Sequence, residues 1–292
     1  MEILLNTIAL EPNRWTRERI PYFQLEDLLQ PIARAGFRGL EVWQYHVSRL
    51  FDREVARLKK DADALGLSFP VLGMYPAFHL EGDEREEELK RFERMLEIAA
   101  LLGSRALKLM PGRIASRDLT PEQWSASVSF MQELMRRSEK AGTIFTLETH
   151  GSTLADDPAV LLKFIAEVGS ARLKVCWQPI GFADAPKAIE LFDRLWPHVA
   201  HVHLQGHRAK DYSPLEEADL DYRQVLAHMI KRGFDGYLGI EFVVDCVVDS
   251  PEKFRLGEVL QNAARDRQFL ESVASGRPVP SVTSSPPPPA TA

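Results

Sequence analysis

The chain has 292 residues, 45% of them apolar and 27% charged, and 42 acidic against 36 basic side chains give a net charge of −6. These proportions exclude a largely disordered chain or a membrane channel, and the acidic surplus argues against binding a nucleic-acid backbone. No apolar run approaches the roughly 18 residues of a transmembrane helix, and Cys176 and Cys246 are too few for a disulfide framework or a thiolate metal cage.

The opening MEILLNTIAL has no basic n-region and is expected to enter a strand directly, as in a cytoplasmic protein without membrane contact. Seven more short β-branched or Leu-rich runs follow EILLNTI in order: RGLEVW, SFPVLGM, RALKLM, TIFTLE, LKVCWQ, VAHVHLQ and YLGIEFV. Their ends lie about 27 to 38 residues apart, which suits one strand plus one crossover helix and its loops. The stretches between them carry the helical period, as in the stripes Leu89, Phe92, Leu96, Ala99 and Trp124, Val128, Met131, Met135. Asp157-Pro158 reads as a cap followed by the first helical residue, and Gly36, Gly66, Gly103, Gly142, Gly169 and Gly233 read as helix ends. Eight strand–helix units in series predict an α/β fold, a single-domain (β/α)8 barrel over residues 1–274. A doubly wound sheet is the rival, but it would want a Gly-rich phosphate turn after the first strand. Residues 275–292, SGRPVPSVTSSPPPPATA, hold six prolines and no aromatic residue, and are expected to form a disordered tail.

In a barrel strand one face meets the helices and must be apolar, so residue parity assigns the other face to the interior. Phe145 and Leu147 go outward, turning Thr146, Glu148 and His150 inward. Val202 and Leu204 go outward, leaving His201, His203 and Gln205 inside. Leu238, Ile240 and Phe242 are expected outside, with Glu241 inside; Val175 and Trp177 outside, with Cys176 and Gln178 inside. The same logic turns Asn6, Glu41 and Lys108 inward. Glu148, Gln178, His203 and Glu241 then stand at similar heights on four successive strands, at the carboxyl end where barrel sites are built. Two carboxylates, an imidazole and an amide oxygen suit one divalent cation, Mn²⁺ first, with Mg²⁺ or Co²⁺ as alternatives. The plainer alternative pairs each Glu with an inward Lys or His.

These residues bring a family into view. GFRGLEVW, LLGSRALKLMPG, LETHG, HVHLQGH and GIEF resemble the xylose isomerase-like barrels over roughly residues 1–272. The closer likeness is to the sugar phosphate isomerase/epimerase group, with its ketose 3-epimerases and inosose dehydratases. The resemblance implies a metal held by Glu148, His203 and Glu241, with Gln178 where the family has Asp. That exchange lowers the ligand charge from −3 to −2, and Gly181 stands where a sugar-contacting His is usual. It further implies a sugar isomerase or epimerase working through an enediolate, with Glu148 and Glu241 as base and acid and His203 and Gln178 as ligands. His150 is a further catalytic candidate. A second proton-transfer group there would suit a lyase eliminating from a keto-sugar, a keto-inositol or a 3-keto glycoside. A non-catalytic sugar-binding barrel is the alternative outside enzymology, and an endonuclease IV-type nuclease would need a richer ligand set.

His150, Lys108, Arg208 and Trp43 are the substrate-binding candidates; Lys108 with Glu41 alternatively forms an interior ion pair. His207 either contacts a phosphate or sugar oxygen beside Arg208 or is an exposed loop residue, and His201 is expected in the core. Tyr75 and Phe78 either wall a sugar pocket with Trp43 or pack in the core. The expected partner is a small sugar or sugar derivative, with neither nucleic acid nor membrane, and the resemblance makes a homo-oligomer plausible.

Overall fold

The computed structural model describes residues 1–179 and 184–276. Eight parallel strands close into a barrel: β1 (Glu2–Asn6), β2 (Gly39–Trp43), β3 (Ser68–Met74), β4 (Ala106–Leu109), β5 (Ile144–Glu148), β6 (Leu173–Trp177), β7 (Val199–Gln205) and β10 (Tyr237–Phe242). The barrel closes where β1 pairs with both β10 and β2. Between β7 and β10 lies a short antiparallel ribbon, β8 (His207–Arg208) and β9 (Asp211–Tyr212). Helices α1 (Leu25–Arg34), α2 (Asp52–Ala64), α3 (Gly82–Leu102), α4 (Pro121–Arg137), α5 (Pro158–Val168), α6 (Ala185–Leu195), α7 (Tyr222–Lys231) and α8 (Leu256–Ser275) complete the strand–helix repeat.

Local chemistry sets the helix limits. The Asp157 carboxylate accepts from the backbone N–H groups of Ala159 and Val160 at 2.7 and 3.3 Å, so α5 starts where Pro158 needs no N–H partner. It stops at Gly169, whose φ of +71° is a conformation that side chains with a Cβ avoid. The apolar stripes sit slightly off their expected centres. Met95 and Ile98 bury the middle of α3, and Phe130 and Leu134 that of α4, while Leu96, Trp124 and Val128 lie at the margins. Ser275 is the last residue of α8, so the helix reaches one residue past the expected domain limit; the tail from residue 277 lies outside the described residues.

The main core is the shell between strands and helices. Leu5, Val42, Leu107, Phe145, Val175, Val202 and Leu238 point outward into it. Each fully buried Leu, Val or Phe there contributes about 1.5–3 kcal/mol. Inside the barrel, the amino-terminal end is plugged by Leu4, Val71 and Ala106. Above the plug the interior turns polar, with Glu41, Lys108, Thr146, His201 and His203 all buried.

One parity assignment is corrected. Along β10 and β7, Ile240 pairs with Leu204 but Phe242 pairs with Gln205, leaving Glu241 as the extra residue of a bulge. The bulge resets the alternation, so Phe242 leaves the outer face and lines the cleft at the barrel mouth together with Glu241.

Candidate active site

The carboxyl ends of the strands open into a cleft of about 410 Å³. Its floor carries Glu148 from the end of β5, Gln178 just after β6 and Glu241 from the bulge of β10. His203 of β7 lies directly below, buried. Donor atoms of Glu148, His203 and Glu241 all fall within 4.8 Å of one another. His203 Nδ1 stands 3.4 Å from Glu241 Oε2 and 3.7 Å from Glu148 Oε1.

A second carboxylate decides which imidazole nitrogen faces the floor. Glu41, across the barrel on β2, accepts from His203 Nε2 at 2.8 Å and lies 3.2 Å from His201 Nε2. Because Nε2 donates to Glu41, Nδ1 is the nitrogen turned toward the two floor glutamates. Burial opposes charge on Glu41, but His203 and His201 more than offset it and hold its carboxyl well below the usual range. His201 is likewise opposed by burial, yet Cys176 and Glu41 push it up to about 9. Room for this layer depends on Gly239, where a Cβ would meet His201 Nε2 at 3.1 Å and Glu41 Oε2 at 3.3 Å.

Lys108 donates to Glu148 Oε2 at 2.6 Å and is 3.9 Å from Glu41. Burial disfavours its ammonium, but Glu148, Tyr75 and Glu41 raise it well above the ordinary lysine value. Two atoms on the floor have no hydrogen-bond partner among the described residues, Gln178 Oε1 and His203 Nδ1, and both are buried. Buried polar atoms are rarely left so, and these are a carbonyl oxygen and an imidazole nitrogen aimed at the same space as two carboxylates. The backbone of Gln178 is pinned, its N–H donating to Thr149 Oγ1 at 2.8 Å and its carbonyl accepting from that hydroxyl at 2.9 Å. The donor set therefore fits a divalent cation, which Glu148, Gln178, His203 and Glu241 would hold.

Residues 29–272 match the family model of the xylose isomerase-like TIM barrel. The chain belongs to that family. Among curated relatives it is 22% identical over 190 residues to a 3-dehydroshikimate dehydratase of Bacillus anthracis, covering 64% of this chain and 68% of the relative. It is 24% identical over 248 residues to a fructoselysine 3-epimerase of Escherichia coli O157:H7, covering 77% and 87%. Among solved structures, a xylose isomerase-like TIM barrel protein from Mycobacterium smegmatis in complex with magnesium superposes with a TM-score of 0.70 at 14% identity, over 94% of this chain and 97% of that one. The named relatives are enzymes, one a dehydratase and one an epimerase.

Within this xylose isomerase-like barrel the remaining candidates separate clearly. His150 lines the cleft; its Nδ1 lies 2.7 Å from the Gly151 carbonyl, which can only accept, so Nε2 is the basic nitrogen. Trp43 and Tyr75 line the cleft, whereas Phe78 packs in the outer core against Phe130 and Phe164. Arg208 is exposed and does not line the cleft; its neighbour His207 does, its ring 4.8 Å from that of Tyr212 across the β8–β9 ribbon. Alternation along that ribbon turns one residue of the pair in and the other out. Lys108 pairs chiefly with the floor glutamate Glu148 rather than with Glu41. Sequence reading passed over Arg14, Trp15, Arg19 and Arg113, which line the cleft from irregular loops where no periodicity marks them. His201 with Cys176 was placed inside by parity, but nothing local announced that both would gather around His203.

Proposed function

We propose that this chain is a divalent-metal-dependent sugar isomerase or epimerase that moves a proton at a carbon next to a carbonyl. The observation that carries this reading is the convergence of Glu148, His203 and Glu241 donors within 4.8 Å, beside Gln178 Oε1, which has no hydrogen-bond partner among the described residues, at the floor of a cleft. Mn²⁺ suits the mixed oxygen and nitrogen donors, with Mg²⁺ or Co²⁺ as substitutes. When bound, such a cation supplies the positive charge that stabilises a developing oxyanion and so makes a neighbouring C–H acidic.

The chain's own groups divide the remaining work. Glu148 and Glu241 reach the floor from β5 and β10, on either side of His203, so one takes the proton and the other returns it. Lys108 holds Glu148 in its ionised form and fixes its direction. His203 and Gln178 position without exchanging protons. Trp43 and Tyr75 line the cleft with aromatic surface that excludes water. The test is turnover of a ketose panel in deuterated water with Mn²⁺ supplied: product should carry solvent deuterium. Glu148→Gln and Glu241→Gln should each lower kcat/KM by about 100-fold or more. Turnover without deuterium, in a protein that takes up no Mn²⁺ by calorimetry, would sink the reading.

His150 supports a second reading. Its free Nε2 on the cleft wall adds a third proton-transfer group, which would let one group remove a proton while another protonates a leaving hydroxyl or aglycone. A lyase of this kind is in keeping with the dehydratase relative. Incubation with keto-inositols and 3-keto glycosides separates the two: release of water or aglycone, lost in His150→Gln, would favour elimination.

A further inference from the structure

The cleft has a charge balance opposite to that of the chain around it. The whole chain carries −6, yet among the described residues the only carboxylates on the cleft wall are Glu148 and Glu241, and Glu148 is already paired with Lys108. Three arginines face the same space, Arg14, Arg19 and Arg113. Arg14 is committed to the scaffold, donating to the carbonyls of Ile8, Ala9 and Cys246 at 2.8, 3.0 and 2.6 Å. Arg19 and Arg113 have no carboxylate partner among the described residues.

Arg19 is held with unusual care for a loop residue. Its φ is +46°, a left-handed conformation that side chains with a Cβ avoid, and its N–H donates to Thr16 Oγ1 at 3.2 Å. The guanidinium lies 5.5 and 5.6 Å from the ring centroids of Tyr45 and Tyr75, which stack on each other, and donates to the Tyr45 hydroxyl at 3.1 Å. A single neutral acceptor leaves most of its five donors unspent. Gly112, at φ +78°, sets the turn that brings Arg113 to the same opening. Beside them Trp15, 62% exposed, stands over Phe242 with centroids 6.1 Å apart. Its ring also has the Arg14 guanidinium 5.1 Å from its centroid, yet it remains a large exposed indole at the lip of the pocket, an apolar platform open to a ligand.

We propose that the substrate is an acidic carbohydrate derivative, its carboxylate or phosphate seated by Arg19 and Arg113 and its C–H face on Trp15 and Phe242. This deepens the reading of the floor as a metal-assisted carbonyl site and rests on it. Planar guanidinium groups match both oxyanions in paired hydrogen bonds, and cations at the mouth of a low-dielectric cleft concentrate anions there.

The test is calorimetric binding to the Mn²⁺-loaded protein of D-glucose, D-glucuronate and D-glucose 6-phosphate, which share a ring and differ in their anion. Either acid should bind about tenfold or more tightly than glucose, and whichever leads names the anion. Arg19→Gln and Arg113→Gln should each remove most of that preference while retaining the folded circular-dichroism spectrum. Equal binding of all three probes would overturn the proposal. So would a preference that survives in the double variant, because the anion would then sit on the metal. Mn²⁺ uptake is measured in the same samples: a protein that takes no Mn²⁺ yet prefers the acids loses the reading of the floor but keeps the anion pocket.

Discussion

Glu41 does not line the cleft, yet it sets the chemistry of the residue that does most to define the floor. By accepting from His203 Nε2 it orients the ring and turns Nδ1 toward Glu148 and Glu241. Glu41→Gln should therefore weaken Mn²⁺ binding by about 10- to 100-fold with the fold intact, read by calorimetry beside circular dichroism. Gln178→Asp should act in the opposite direction. It restores a third carboxylate at a position whose backbone is already pinned by Thr149, so Mn²⁺ should bind more tightly than in the natural chain. Looser binding in that variant would mean Gln178 is not aimed at the ion. Parity placed Glu41 and His203 on the inner face from sequence, because the outer face tolerates only apolar groups. It could not pair them, since β2 and β7 are separated by two strands around the barrel and their contact crosses its interior.

Strands and helices were legible to within a residue or two where a periodic apolar face met capping chemistry. Asp157 is the clearest case: its carboxylate serves two of the backbone N–H groups that open α5. Asp157→Ala should lower stability by about 1 kcal/mol, measured from the urea midpoint at unchanged m-value. Legibility failed at Phe242 for a definite reason. Strict alternation assumes an unbroken ladder, and the extra residue at Glu241 turns the following side chain to the other face. It failed again over residues 11–24, where Arg14, Trp15 and Arg19 belong to a segment with no regular repeat. Their placement comes from contacts with residues far along the chain, Cys246 and Phe242 for Arg14 and Tyr45 and Tyr75 for Arg19.

The molecule as a whole carries one acid outside the site whose titration should be visible in its stability. Asp266 of α8 is buried against the segment after β9, accepting from the Leu215 N–H at 2.9 Å. Burial pushes its carboxyl up to about 7. The folded chain then keeps a proton that the unfolded chain releases near pH 4, so this contribution is complete below about pH 4 and is lost as pH rises toward 7. Unfolding free energies from urea titrations should fall across that window in the natural chain relative to Asp266→Asn, at most by about 1.4 kcal/mol per pH unit. Parallel curves would show that the carboxyl ionises normally.

A closed hydrogen-bonded wall also separates two kinds of inheritance. Glu148, His203 and Glu241 hang from rungs braced on both sides, whereas Arg19, Arg113 and Trp15 ride on connecting segments that can lengthen or change without reopening the wall. A library randomised over residues 15–19 and 113–115, sparing Arg14 and Gly112, should therefore alter ligand preference while Mn²⁺ affinity stays constant.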